Sequence, residues 1–113
     1  MSRRRRVYVA GPYTKGDVGT NVRAAVSAAD HLWCLGYAPF VPHLSHLWHL
    51  MCPMTYMEWL EYDEQWLLVC DCLYRLPGES ADTDREIVLA KQAGIPVYYS
   101  LNDLLAAAPP HIP

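Results

Sequence analysis

VCDCLYRLPGESADTDREIVLAKQAG, Val69 to Gly94, is the stretch from which the fold of this chain is read. Val69 to Leu76 is an apolar run with the spacing of a buried strand. Pro77 to Ser80 is a Pro-Gly turn ending in a serine, and an acidic helix start carrying Glu86 follows, with Ile87, Ala90 and Ala93 apolar and Gly94 at the stop. A strand that feeds a helix through a short turn is the unit of an open α/β sheet. Ligands in such sheets sit beyond the carboxyl ends of the strands, where the next helix presents unpaired N–H groups. Chemistry is therefore expected around the turn and Glu86.

The same alternation runs outward in both directions. Upstream, Val7 to Ala10 is β-prone and stops at Gly11-Pro12, and the loop Tyr13 to Gly19 carries two glycines and Lys15 without either phosphate-binding fingerprint. From Thr20 the period is helical, with Val22, Ala25, Val26, Ala29, Leu32 and Trp33 on one face and Gly36 at the end. Tyr37 to Val41 reads as a strand closed by Pro42, and Tyr56 to Leu68 as a second helix. Downstream, Ile95 to Ser100 is a strand and Leu101 to Ala108 a short helix ended by Pro109-Pro110. Strands alternating with helices predict a parallel sheet of about four to five strands in a Rossmann-like, flavodoxin-like three-layer fold with right-handed crossovers.

Composition bounds the rest. With 113 residues, 52% hydrophobic and 19% charged, net charge −3, the chain reads as one soluble domain over 1–113, with a basic tail at 1–6 and a Pro-rich tail at 109–113. Mild acidity argues against duplex nucleic-acid binding, which needs a basic face. No segment has the apolar length of a membrane span, and no signal peptide is read, so a cytoplasmic location is expected. Cys70 and Cys72 alternate along the expected strand and would share a face as reduced core thiols. Four Trp and eight Tyr in so small a chain suggest aromatic surface committed to another subunit, hence a homodimer or higher homo-oligomer.

His43, His46 and His49, with Cys52 continuing the spacing, invite a zinc site. On a helix, steps of three spread such side chains over half the circumference, so an aromatic-lined pocket wall or a subunit interface is the competing reading, with His43 facing a base or sugar. Glu86 also has two readings. Thr83-Asp84-Arg85-Glu86 fits a capping box, in which the carboxylate only closes the helix start. Alternatively, a carboxylate held near helix N–H dipoles beyond a central strand is aimed into the cleft as a nucleophile. Ser80 and the turn amides at Gly78 would then bind an anionic group, and Asp63 would be the acid/base partner that glycosidic cleavage requires.

The opening VYVAGPY, the later GYAPFVPH and the run WLxxDxxWLxxCDxLxRLPGESxxxDREIxLAxxxGIPV together resemble the nucleoside 2-deoxyribosyltransferase-like superfamily, over roughly residues 7 to 100. The resemblance is to its small branch with a G-P opening and an L-P-G-x-S…E core, related to the deoxynucleoside 5′-monophosphate N-glycosidases. It implies a flavodoxin-like sheet, active sites shared between subunits, and cleavage or transfer of an N-glycosidic bond on a (deoxy)nucleoside or its 5′-monophosphate. By the same resemblance Glu86 is the nucleophile, Asp63 the acid/base, and Tyr8 the residue that orients Glu86. Ser80 matches a 5′-phosphate contact, and Gly11, Tyr13, Gly78 and His43 complete the substrate site. Neither a cofactor nor a metal is called for. The chain departs from the family pattern after the serine, with Asp82 and Thr83 where glycine is frequent, and in the first loop, which offers Tyr13, Thr14, Lys15 and Arg23.

Overall fold

The computed structural model describes residues 3–113. Four parallel strands form its central sheet: β2 (Arg6–Ala10), β3 (Ala38–Phe40), β4 (Cys72–Arg75) and β5 (Val97–Tyr98), in the order β3-β2-β4-β5. A short antiparallel pair joins β1 (Arg3–Arg4) to β6 (His111–Ile112). The helices are α1 (Val18–Leu35), α2 (Ser45–Met51) after a 3₁₀ turn at Pro42–Leu44, α3 (Tyr56–Leu67), α4 (Ala81–Gln92) and α5 (Leu101–Ala107). This is the Rossmann-like three-layer α/β fold expected from the sequence.

Alternation along β2 makes the layers. Val7 and Val9 point to one face and pack with Ala25, Ala29 and Leu32 of α1 and Leu104 of α5. Tyr8 and Ala10 point to the other, against Leu67 of α3 and Ala90 of α4. Because β2 has α1 on one side and the helices that flank β4 on the other, the chain reverses its winding between β2 and β4. The carboxyl ends of these two neighbours therefore open a crevice, the usual ligand position in such sheets.

Several local expectations are corrected. The strand of the opening stretch starts at Cys72 rather than Val69, because Leu68 to Asp71 form the tight connection out of α3, with the Cys70 N–H bonded to Leu67 O at 3.0 Å. Cys70 and Cys72 consequently enter different cores, one on each side of the sheet, instead of sharing a face. Helix α1 begins before Thr20, since Asp17 caps it by accepting the Thr20 N–H at 2.7 Å. Arg3 to Arg6 and residues 109–113 are structured rather than solvated tails. Arg3 pairs with Ile112 and Arg4 with His111, the Arg4 guanidinium stacks 3.7 Å from the Trp33 ring centroid, and Arg3 forks onto Asp71 at 2.8 and 3.0 Å. Met1 and Ser2 lie outside the described residues. Among the described residues no helix is long and apolar enough to cross a membrane.

Candidate active site

The turn of the opening stretch packs beside the site and leads into the helix that carries Glu86. Gly78 has φ +114°, and a Cβ there would lie 2.7 Å from Pro12 Cγ, so this turn packs directly on the loop that follows β2. Ser80 then caps α4, its Oγ accepting the Thr83 N–H at 3.1 Å. The capping box expected at Thr83 to Glu86 is therefore not formed: the helix starts one turn earlier, Thr83 is buried inside it, and Glu86 lies in the second turn, beyond reach of the orphan N–H groups. Its place is the inner face of the cavity wall.

That cavity, of about 380 Å³, lies over the carboxyl ends of β2 and β4. Its walls bring together Gly11 and Tyr13 from the β2 loop, His43 from the 3₁₀ turn, Asp63 from α3, and Ser80 and Glu86 from the start of α4. Tyr8 lies beneath, fully buried. Gly78 does not line this cavity but a wider, more polar recess that adjoins it.

Among the described residues five buried side-chain polar atoms lack a hydrogen-bond partner, and four belong to this constellation: Tyr8 Oη, His43 Nδ1, Asp63 Oδ1 and Glu86 Oε2. Unsatisfied buried groups are costly, so their concentration beside one cavity marks a place where a ligand supplies the missing partners. Burial raises the Glu86 carboxyl to about 7, opposed by the facing Tyr8 hydroxyl and reinforced by the charges of Asp63 and Asp82. Burial likewise raises Asp63 to about 7, with Asp82 adding to it. The Tyr8 phenol is pushed well up by burial first and then by Glu86 and Asp63, so it stays protonated and able to donate to the carboxylate it faces. His43 is lowered by burial; its Nε2–H donates to Pro12 O at 2.8 Å, which leaves a neutral ring with a free acceptor at Nδ1.

The other two histidines do not join His43. His46 Nδ1 meets the Tyr13 hydroxyl, and His49 Nδ1 accepts the Trp59 indole N–H at 2.8 Å and the Met54 N–H at 3.3 Å. His43 and His49 line the cavity, whereas His46 does not. Among the described residues no group of three His, Cys, Asp or Glu side chains converges as a ligand set. The pocket-wall reading of this segment is the one the geometry supports.

Trp59, Met54 and Tyr56 were not expected in the site from the sequence, and Asp82 was read only as a departure from the family pattern; all four line the cavity. Tyr56 donates its hydroxyl to Asp82 across the gap between α3 and α4. One signal for them was available: Thr55 and Glu58 form the capping box that starts α3, with mutual bonds of 3.1 Å, and this fixes Tyr56 and Trp59 on the cavity face. Ser80, expected as an anion contact, accepts the Thr83 N–H at the helix start and keeps its O–H to donate to a ligand.

The fold is shared with a solved structure of the 2-deoxyribosyltransferase from the psychrotolerant bacterium Bacillus psychrosaccharolyticus, described as a biocatalyst for nucleoside synthesis. The TM-score is 0.61 at 20% identity, covering 81% of this chain and 69% of that one. No curated protein matches the chain. Residues 5–100, which hold the whole central sheet and the cavity walls, match the family of domains of unknown function DUF7768, and the chain belongs to that family.

Proposed function

We propose that this protein cleaves or transfers the N-glycosidic bond of a nucleoside or nucleotide through a glycosyl-enzyme on Glu86. The observation that carries this reading is the pairing of two buried, unpartnered carboxyl oxygens, Glu86 Oε2 and Asp63 Oδ1, from two different helices on one cavity of nucleoside size. The fold shared with a 2-deoxyribosyltransferase supports it. Ionised Glu86 attacks C1′, the bond from C1′ to the base nitrogen breaks, and its electron pair leaves with the base. Asp63 gives that nitrogen its proton. In the second half, Asp63 takes a proton from water or from an incoming base, which attacks C1′ and frees the Glu86 carboxylate. Tyr8 acts as a positioning residue, its phenol facing the carboxylate from the floor.

Two carboxyls near pH 7 suit this cycle, because one proton shared between them supplies a nucleophile and an acid together. Trp59 offers a ring face to a base, and His43 Nδ1 an acceptor for a base or sugar donor. A second copy of the chain over the exposed residues Leu47, Leu50 and Met51 of α2, the helix that also carries His49, belongs to the same proposal; sedimentation velocity reads it.

Base release, followed by chromatography from a panel of ribo- and deoxyribonucleosides and their 5′-monophosphates with and without an acceptor base, tests the reading. Release that Glu86→Gln lowers about 100-fold or more, with the melting temperature held, is expected. If no member of the panel loses its base at high enzyme concentration, the reading falls and a non-catalytic nucleotide-binding domain takes its place.

A further inference from the structure

The charge on the enclosed cavity is one-sided. Asp63, Asp82 and Glu86 line it, and among the described residues no lysine or arginine does. Its two histidines carry no charge in this geometry. Burial lowers His43, and His49 accepts the Trp59 and Met54 N–H groups at Nδ1, a nitrogen that therefore holds no proton. Arg75, whose charge does act on Glu86, lines only the adjoining recess and lies 3.6 Å from Asp84.

Rings make much of the remaining wall, with Tyr13, Tyr56 and Trp59 all lining the cavity. Aromatic faces attract cations through the ring quadrupole and carboxylates attract them through charge, so the two act together on a ligand that is both flat and positive. One atom adds direction: His43 Nδ1, on a residue only 5% exposed, is an acceptor without a donor. A neutral base answers the rings and His43 but leaves three carboxylates without a cation.

We propose that the cavity takes an N-glycoside whose base is already cationic, a pyridinium ring bearing an amide, with the ring against Trp59 and the amide N–H on His43 Nδ1. The inference rests on the glycosidase reading and adds a substrate class to it. The Glu86 carboxylate attacks C1′, the bond from C1′ to the ring nitrogen breaks, and its electron pair neutralises that nitrogen, so a neutral pyridine leaves with no proton supplied. Asp63 is needed only afterwards, when it takes a proton from the water that attacks C1′ and frees the Glu86 carboxylate.

Calorimetry with two unreactive probes of the same shape isolates the charge: the N-methylpyridinium meta-carboxamide cation and neutral meta-methylbenzamide, each titrated into wild type and Glu86→Gln at pH 6 and pH 8. The cation is expected to bind about ten-fold or more tightly than its neutral counterpart at pH 8, the size of one partly screened contact between opposite charges. Asp63 and Glu86 are both raised to about 7, and Tyr8, Asp82, Arg75 and the two neutral imidazoles are the charged or titratable groups around them. A cation favours the ionised carboxylates, so its affinity rises several-fold from pH 6 to pH 8 while that of the neutral probe stays level. Glu86→Gln lowers the cation's affinity several-fold at pH 8 and leaves the neutral probe's in place. Kinetics add a second readout, since kcat/KM ends at base release: Asp63→Asn lowers it by about 100-fold for a neutral-base nucleoside and by less than about ten-fold for a pyridinium nucleoside of the same sugar. A neutral probe bound as tightly as the cation, binding of neither, or equal kinetic losses for the two nucleosides overturns the inference and leaves the glycosidase reading to the nucleoside panel. A cation bound selectively by a protein that releases no base from any nucleoside, pyridinium or neutral, overturns the glycosidase reading and with it the substrate class, and leaves a cation-binding cavity.

Discussion

Glu86 is the residue on which sequence and structure pull hardest against each other. From spacing alone it fits a capping box, and a capping glutamate stabilises its helix. In the structure Ser80 holds that cap, and Glu86 is a mostly buried carboxyl raised to about 7, chiefly by desolvation. The two descriptions predict opposite stability effects. A carboxyl whose folded pKa exceeds its unfolded value binds its proton more tightly when folded, so its stabilising contribution is complete at low pH and is lost as pH rises toward about 7. Glu86→Gln removes the buried charge. It should therefore match wild type in chemical denaturation at pH 5 and exceed it at pH 8 by on the order of 2–3 kcal/mol, whereas a lost cap would cost stability at both. Activity has its own pH signature. With Asp63 also raised to about 7, kcat/KM should be bell-shaped around neutrality, falling on the acid side as both carboxyls hold protons and on the alkaline side as both lose them. Asp63→Asn should remove the alkaline limb and reduce turnover by about 100-fold or more. The motif singled out both residues, and both line one cavity. Their titration was not readable there, because burial by Tyr8, Leu60 and the β2 loop is a tertiary fact.

At the scale of elements, the period of the apolar residues located the strands of the central sheet and the helices α1, α3, α4 and α5, because that pattern reports which face meets the core. Boundaries slipped where a single side chain decided them: Asp17 moved the start of α1 forward, and Ser80 moved α4. The segment from Pro42 to Met51 resisted reading, since its apolar residues Leu44, Leu47 and Leu50 are largely exposed and carry no core periodicity. What the elements need from their turns can be measured at two glycines. Gly94 has φ +74° and open space around its would-be Cβ, so Gly94→Ala costs only the left-handed backbone, about 1 kcal/mol. Gly78 adds to its positive φ a would-be contact of 2.7 Å with the Pro12 ring. Gly78→Ala should cost about 2–3 kcal/mol, and because Pro12 lies between two cavity residues, Gly11 and Tyr13, it should also reduce turnover. Melting curves of the two variants beside Ser80→Ala, expected to lose about 1 kcal/mol, rank the turn against the cap. Equal losses at Gly78 and Gly94 would mean that the turn yields and that its packing on Pro12 does not shape the site.

Over the whole molecule, the candidate site and the clasp of the two termini sit at opposite ends of the sheet. The cavity lies over the carboxyl ends of β2 and β4, and the two chain ends meet at the amino edge, where β1 pairs with β6. No sequence pattern announced this clasp, for four arginines and a Pro-rich end both look solvated until they are paired. Its bonds are specific: the Arg5 N–H reaches Pro110 O at 2.6 Å, Arg5 Nε reaches Pro109 O at 2.8 Å, and Asp71 receives the Arg3 guanidinium and, at 2.8 Å, the Arg6 N–H. Arg3 and that N–H hold Asp71 below the ordinary carboxylate range, so its contribution is present near neutrality and is lost as pH falls through its folded value. Removing residues 109–113 takes away the partner of β1 and both contacts of Arg5, while leaving the Tyr37 hydroxyl on Ala108 O at 2.6 Å. The truncated chain should melt several degrees lower, since about 1–3 kcal/mol of pairing is lost from a small domain, yet turn over the wild-type substrate with kcat/KM within about two-fold. Asp71→Asn should reproduce part of that loss at pH 7 and progressively less of it as pH falls through the folded value of the native aspartate. A truncation that leaves melting unchanged would show the clasp to be idle. One that removes activity from a protein still folded at the assay temperature would show that the amino edge of the sheet governs the cavity, contrary to the separation that the strand order places between them.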